Sequence, residues 1–236
     1  SGYTTDGMDY PLTRSTTLSD AKLYNSYRDI LNRSMKEAYS AGYETVIKIA
    51  PHADTEEVRA DGKFKGLASK LGMNIYIPDE RATLEEVQFV VTLTEGGSPS
   101  RSAFVKDGFP TSKVDIKHLI TGQIDLNVSE TLTIIPKIPG ISAGEKVAKV
   151  IKFDPIKFKL ALKREISILF GGPLDEKALW FFKGSLESLG VALTINAPEG
   201  LRLDAQIEAR WKYVHKHWPI ESIRMGAEAK TVPIYP

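Results

Sequence analysis

Apolar residues recur along this chain with two spacings, one typical of helices and one typical of strands. Between positions 18 and 41 they recur every three or four residues, at Leu23, Tyr27, Ile30 and Met35, and Gly42 follows. This spacing places the apolar side chains on one side of a helix, and glycine is a common residue just past a helix end. The pattern predicts an amphipathic helix over 18–41.

Shorter apolar runs predict strands in the rest of the first half. One run covers 45–50 and ends at Pro51, a second covers 74–77, and apolar residues alternate with polar ones over 87–93. Between the first two runs, Thr55 can cap a helix over 55–71, with Gly72 as its stop. The first half therefore predicts alternating helices and strands.

In the second half of the chain, the pattern predicts more strands than in the first half. A segment rich in Gly, Ser and Pro covers 98–110, which predicts a loop or linker. Apolar runs at 124–128, 132–135 and 147–153 predict strands, and 157–170 fits both periods but favours a strand, because Arg164 alone breaks the alternation. A helix over 174–189 and strands over 191–195 and 203–213 complete the prediction.

Two short motifs recur 118 positions apart. Phe64-Lys65-Gly66 returns at 182–184, and Leu71-Gly72 returns as Leu189-Gly190. One interpretation is a tandem duplication of an α/β unit. The other is that helices in unrelated units end with the same Leu-Gly chemistry.

These patterns together predict a mixed α/β fold of the α+β class. Its two packed α/β subdomains occupy 18–97 and 111–226, the second with a β-rich section, and 98–110 connects them. Residues 1–17 and 227–236 are polar or proline-punctuated, and they predict an N-terminal arm and an extended C-terminal tail.

Composition narrows the class of protein. A chain of 236 residues, 42% hydrophobic and 26% charged, has the make-up of a globular protein with a substantial core. Its 31 basic and 30 acidic side chains give no general electrostatic case for nucleic acid or anionic lipid. No apolar run reaches the roughly 18 residues of a membrane-spanning helix, so no transmembrane segment is expected.

The absence of cysteine excludes a further group of activities. Disulfide scaffolds, thiolate zinc sites, iron–sulfur clusters and cysteine nucleophiles all need this residue. We therefore expect an intracellular or virion location rather than that of a disulfide-type secreted protein. The sequence also lacks the nucleophile-elbow, dinucleotide-binding and P-loop motifs, so we expect no cofactor, and the balance leans against an enzyme.

Lysines are concentrated between 137 and 164, where basic residues exceed acidic ones by six. The candidate contacts for nucleic acid, another anion or an anionic lipid surface are Lys146, Lys149, Lys152, Lys157 and Lys159. The alternative is a half-buried strand whose lysines are solvated or protect a sheet edge.

A second candidate surface covers the strand predicted near 210–218. Trp211, Tyr213, His215 and His217 would share one face of that strand, because alternate residues point the same way. The opposite face would carry three cations, which are Arg210, Lys212 and Lys216. Aromatic and basic residues together can bind nucleic acid, and His215 with His217 can chelate a metal. The plain alternative is an aromatic packing face backed by a solvated basic face.

A weaker metal candidate follows the first predicted strand. His52 and Asp54 supply metal-ligand types, and Glu56 and Glu57 lie nearby. The same acids are ordinary in the first turn of a helix, where they interact favourably with the helix dipole.

The leading functional hypothesis is a non-catalytic structural or assembly protein that acts by self-association. A coat, matrix or scaffold subunit, including a viral one, fits the lack of catalytic motifs and the two terminal arms. The alternatives are a nucleic-acid-binding module using 137–164 and 210–218, and a metal-dependent hydrolase using the histidines above.

Overall fold

The structure, a computed structural model, describes residues 48–77, 80–110, 123–128, 132–135, 149–152, 167–170, 172–183, 188–217 and 219–236. Every regular element in these ranges is a β-strand, and the strands form three antiparallel sheets. The prediction of an α+β fold with α/β subdomains is therefore wrong, because the described part of the chain is all-β. The helix predicted at 18–41 and the arm at 1–17 lie outside the described residues.

The strands are distributed over a four-stranded, a six-stranded and a three-stranded sheet. In spatial order, the four-stranded sheet contains β1 (Lys48–Ala60), β2 (Phe64–Tyr76), β11 (Ser188–Pro198) and β5 (Phe104–Phe109). The six-stranded sheet contains β13 (Ile220–Tyr235), β12 (Leu203–His217), β3 (Ala82–Glu95), β10 (Lys177–Lys183) and β9 (Ser167–Phe170), and β4 (Ser98–Pro99) pairs with β3. The three-stranded sheet contains β7 (Thr133–Ile135), β6 (Gln123–Asn127) and β8 (Lys149–Lys152).

The helix predicted over 55–71 is replaced by the β1–β2 hairpin. Asp61 and Gly62 form its turn: the Asp61 N–H donates to the carbonyl of Phe64 at 3.1 Å, and the Phe64 N–H donates to Asp61 Oδ1 at 3.0 Å. Gly62 adopts a φ of 86°, which favours glycine. Asp-Gly between two apolar runs is a hairpin signal, and here it outweighs the helical spacing.

The helix predicted over 174–189 is also wrong, because this region contains β10 and the start of β11. The two Leu-Gly motifs are not helix ends: Gly72 lies in the middle of β2 and Gly190 in β11, and the two glycines oppose each other across the ladder. A side chain at Gly72 would collide with the imidazole of His52, whose Nε2 lies 2.2 Å from the position of an added Cβ. Glycine at this point leaves room for a neighbouring strand's side chain.

Strands predicted at 87–93, 191–195 and 203–213 are confirmed within β3, β11 and β12. The segment at 98–110 contains β4 and β5, and β5 pairs with β11 at the edge of the four-stranded sheet. Residues 227–235 belong to β13 and pair along β12. Within the described residues, no helix is long and apolar enough to cross a membrane.

The main core lies between the four-stranded and six-stranded sheets. Trp180 is completely buried, with the rings of Phe170 and Phe89 at centroid distances of 5.1 Å and 5.9 Å. Its indole N–H donates to the carbonyl of Pro110 at 2.9 Å, which satisfies the one polar atom of the side chain. Gly108 lets the ring of Phe170 approach β5, since an added Cβ would lie 2.6 Å from Phe170 Cζ.

The three-stranded sheet packs on the opposite face of the four-stranded sheet. Asp107, on the other side of β5 from Gly108, accepts the Ile134 N–H at 2.7 Å, and Thr194 donates to the carbonyl of Leu132. The Leu132 side chain lies over Gly66, where an added Cβ would come within 2.9 Å of its Cδ2. The result is three layers with the four-stranded sheet in the middle.

The edge strands β1 and β13 run side by side without pairing through their backbones. Glu228 Oε2 accepts the N–H of Ile49 at 3.0 Å, and Lys230 Nζ donates to the carbonyl of the same residue at 2.8 Å. Glu228 and Lys230 are also ion-paired at 3.3 Å. Two side chains of β13 therefore bind the backbone groups of Ile49 that a neighbouring strand would otherwise bind.

A second polar cluster connects the same two strands farther along. Tyr235 donates its hydroxyl to Glu57 Oε2 at 2.9 Å, and Lys65 Nζ lies 3.3 Å from that oxygen and 2.9 Å from the Tyr235 hydroxyl. The hydrogen bonds from Tyr235 and Lys65 lower the pKa of Glu57, and the hydrogen bonds with Tyr235 and Glu57 raise the pKa of Lys65. We call the β1–β13 contacts at Ile49 and at Glu57 the seam.

Candidate functional site

The β12–β13 hairpin contains the second candidate surface that the sequence singled out. On β12, the side chains of Trp211, Tyr213 and His215 share one face, as expected from their spacing, and that face is turned into the core. Trp211 is 1% exposed and Tyr213 is completely buried. Their rings pack against protein and present no surface on which a base could stack.

The opposite face of β12 carries the three cations, and two of them contact carboxylates. Arg210 bonds to Glu208 on the same strand, and Lys212 Nζ lies 3.9 Å from Glu85 Oε2. Lys216 is exposed near the end of the strand. The positive charge of this face is therefore partly compensated by neighbouring acids.

The lysine-rich segment is described only in part. Lys149 and Lys152 are the first and last residues of β8, an edge strand of the three-stranded sheet, where they oppose Leu126 and Gln123. Lys146, Lys157 and Lys159 lie outside the described residues. The prediction that these lysines bind nucleic acid or lipid stays a prediction.

The metal candidates lie apart from one another. His52 and Asp54 are on β1 in the four-stranded sheet, and Asp54 is ion-paired with Lys70 at 3.2 Å. His215 is buried on β12 in the six-stranded sheet. His217 is on the same strand, but its side chain is not among those that the structure describes. Among the described residues, no three His, Asp or Glu side chains are grouped as a metal site would require.

The feature that sequence reasoning missed is the beginning of β13. Ile220 and Ile223 are 65% and 48% exposed, which is high for large apolar side chains. Met225 follows on the side of the strand that carries Ile223, and it is buried. The alternation of Ile223 and Met225 with polar residues was the available signal, but this stretch follows Pro219 and was not assigned to a strand.

The backbone of this segment is paired on one side. Residues 220–226 pair with 211–217 of β12, whereas the first contact of β1 with β13 is at Ile49, which lies beside Glu228 and Lys230. Both clusters of the seam show that β1 and β13 run in the same direction, so 220–226 extends past the start of β1 at Lys48. In the part of the chain that the structure describes, no strand lies along the outer edge of 220–226.

This arrangement suits strand addition. An edge strand offers backbone N–H and C=O groups to another strand, and natural edges are often protected by lysine, proline or a bulge. The β12–β13 ladder has its one irregularity at Leu203–Asp204, far from this segment. Residues 220–226 combine regular extended backbone with two exposed isoleucines.

Comparisons with known proteins give no family. No protein-family model matches the sequence, and no curated protein does. A solved structure described as a "pore forming protein" is 9% identical, with a TM-score of 0.38, and the match covers 78% of this chain and 89% of that chain. The NetB toxin of Clostridium perfringens in its membrane-inserted form is 10% identical, with a TM-score of 0.34, over 78% of this chain and 94% of that chain. Scores this low carry no argument about fold family or function.

Proposed function

We propose that this chain is a non-catalytic assembly subunit that associates with copies of itself through the outer edge of β13 at 220–226. The observation that carries the proposal is the pair of exposed isoleucines, Ile220 and Ile223, on a segment that pairs with β12 and has no second strand partner among the described residues. Coat, matrix and scaffold subunits work in this way, through contacts between copies rather than through a reaction.

Exposure of these two side chains has a thermodynamic cost that association can remove. Burying a large aliphatic side chain is worth about 1.5–3 kcal/mol, and pairing a free strand edge satisfies further backbone groups. Glu221 lies between the two isoleucines and is opposite Lys216 in the register of the hairpin.

A second copy of this chain fits the edge because antiparallel pairing is self-complementary. A two-fold axis through Ile223 and perpendicular to the sheet would place this residue opposite itself in the other copy. Glu221 would then oppose Met225, and Ser222 would oppose Arg224, so no like charges meet. Ile223 lies beside buried Val214 of β12, and the two copies would join these apolar positions into one surface.

Replacing Ile223 with lysine tests the proposal. We expect the wild-type protein to be a dimer or larger at high concentration, and Ile223→Lys to be a monomer, because lysine adds a solvated charge at the centre of the edge. The measurement is molar mass by light scattering after size-exclusion chromatography over a range of concentrations. Circular dichroism checks that the variant keeps its β-structure.

Thr231→Lys is the matched control. Thr231 is an exposed residue of the same strand, on the same side as Ile223 but beyond the proposed contact. This variant should assemble like the wild-type protein. A wild-type protein that stays monomeric at every concentration, or an Ile223→Lys variant with unchanged molar mass, would show that this edge is not the assembly contact.

A further inference from the structure

An open cleft of about 860 Å³ lies where β3 ends, at the opposite end of that strand from the β13 edge segment. Its volume falls in the range of small-molecule sites, roughly 300–1,000 Å³. One wall is the chain from β4 to the start of β5, and the other is the turn that precedes β10. The lining residues are Ser98, Pro99, Ser100, Arg101, Ala103, Phe104, Asp175 and Glu176.

Backbone hydrogen bonds fix both walls. The Ser100 N–H donates to the carbonyl of Leu93, and the Leu93 N–H donates to the carbonyl of Glu176, each at 2.8 Å. The Val105 N–H donates to the carbonyl of Asp175, also at 2.8 Å. The two walls are thus joined to β3 and to each other by backbone hydrogen bonds.

Side chains hold the first wall in the same way. Ser102 donates its hydroxyl to Glu95 Oε1 at 2.7 Å, and the Ala103 N–H donates to Ser100 Oγ at 3.0 Å. Glu95 closes the loop that carries Arg101, and Ser100 is itself 5% exposed. These bonds hold the backbone that carries Arg101 at the first wall of the cleft.

Charged groups of opposite sign line the two walls without meeting. Arg101 is on the first wall, and Asp175 and Glu176 are on the second. None of the three side chains has a hydrogen bond or an ion pair with any residue that the structure describes. Asp175 also has a φ of 53°, a conformation that L-residues rarely adopt and that is often found at binding sites.

An apolar surface lies between these charges. Phe104 is half-buried and Pro99 is exposed, and both line the cleft. Lys106 Nζ lies 5.0 Å from the centroid of the Phe104 ring, which restricts the ring from one side. The cleft thus presents a cation, two carboxylates and an aromatic surface to the same volume.

We propose that this cleft binds a zwitterionic ligand of the amino-acid class with an apolar side chain. The guanidinium of Arg101 suits a carboxylate, because its planar N–H groups can donate two parallel hydrogen bonds. Asp175 and Glu176 suit an ammonium group, and Phe104 with Pro99 suits the apolar side chain. This inference is independent of the proposed self-association.

Three related ligands test the proposal on the full chain. L-phenylalanine carries both charges, N-acetyl-L-phenylalanine lacks the ammonium, and L-phenylalanine amide lacks the carboxylate. We expect measurable binding of phenylalanine by calorimetry or NMR titration, and affinity about tenfold or more lower for each derivative, because each has lost a charged hydrogen-bonding partner. Equal binding of all three ligands, or binding of none, would refute the proposal.

Variants assign each charge to its wall. Arg101→Gln should lower the affinity for phenylalanine about tenfold and leave the affinity for the amide unchanged, since the amide has no carboxylate for Arg101 to bind. The double variant Asp175→Asn with Glu176→Gln should weaken phenylalanine and leave the N-acetyl derivative unchanged. If either variant lowers the affinity for all three ligands equally, the charges do not act as proposed.

Two controls separate this site from the rest of the molecule. Arg202→Gln changes an exposed arginine that does not line the cleft, and it should bind phenylalanine with wild-type affinity. Ile223→Lys should also bind with wild-type affinity, whatever its molar mass. A loss of binding in either control would mean that the cleft is not the site measured.

Discussion

Gly108 is the residue on which the packing of β5 against the six-stranded sheet depends. It has no side chain at the point where Phe170 and Trp180 approach, and a Cβ there would be 2.6 Å from one ring and 3.3 Å from the other. The two rings also pack against each other, so neither can turn away without disturbing its neighbour. A single methyl group at this position would have to displace an aromatic core.

We expect Gly108→Ala to lower the free energy of unfolding by about 1–3 kcal/mol, the usual cost of overpacking a core. Gly66→Ala is the matched comparison, because its nearest neighbours are the terminal methyl groups of Leu132, which can rotate. Gly66→Ala should lower the free energy of unfolding by less than Gly108→Ala does. Urea unfolding followed by tryptophan fluorescence measures both. A Gly66 variant as unstable as the Gly108 variant would contradict this account.

Single residues also explain why parts of the fold were predictable and others were not. The strand over 203–213 was predicted correctly, and Trp211 and Tyr213 share one face of it as their period-two spacing predicts, but that face is buried. Gly72 was interpreted as a helix stop because it follows Leu71, yet it makes room for His52 from a neighbouring strand. That requirement comes from a strand pairing and cannot be read from the residues on either side of Gly72.

At the scale of elements, β1 is held at its start by side chains of β13. Glu228 accepts the N–H of Ile49, and Lys230 donates to the carbonyl of Ile49. The backbone groups at this edge of β1 are therefore hydrogen-bonded to side chains rather than to a neighbouring strand. Because an amide that loses its only acceptor is open to water, the exchange rate of the Ile49 N–H reports this contact directly.

We expect Glu228→Ala to speed hydrogen exchange at the Ile49 amide by about tenfold or more, since a hydrogen bond to a charged acceptor is lost. NMR-detected exchange provides the measurement. Glu221→Ala removes an exposed carboxylate from the same strand and should leave this amide unchanged. Equal acceleration in both variants would indicate general loosening of β13 rather than loss of one bond.

Element boundaries were harder to predict than element positions. Pro51 was expected to end the first strand, but β1 continues through it to Ala60, and proline is tolerated there because β1 is an edge strand. The helical interpretation of 55–71 depended on apolar spacing that also fits two strands joined at Asp61-Gly62. The alternation of Ile223 and Met225 was a signal for the start of β13, but its place at a sheet edge was not predictable. The cleft was not predictable either, because both features depend on which strands become neighbours.

At the scale of the whole molecule, the seam makes the contact between two sheets depend on pH. Glu57 has a pKa below its ordinary value of 4.5, because Tyr235 and Lys65 donate to its ionised form. A lowered pKa means that the stabilising contribution is present above pH 4.5 and is lost as the pH falls through the folded-state value. Lys65 has a pKa above 10.5, so its contribution is present below that pH and lost as the pH rises further.

We expect the stability difference between wild-type protein and Glu57→Gln to be present at pH 7, to shrink as the pH falls below 4.5, and to vanish once the pH has fallen through the lowered folded-state pKa and the wild-type carboxylate is protonated. Urea midpoints measured over this pH range provide the test. Glu199→Gln, at an exposed turn, is the control and should differ little from wild type at either pH. A Glu57→Gln difference that is independent of pH would show that its charge does not stabilise the seam.

The sheet order has a consequence for how the chain is made. β2 pairs with β1 at once, but its other partner is β11, and β3 finds both of its long partners, β10 and β12, only in the last third of the chain. At roughly 5–20 residues per second, synthesis leaves β3 without them for on the order of ten seconds. During that interval its apolar side chains are exposed to solvent, and a chaperone that binds unfolded chains would meet them before their native neighbours do.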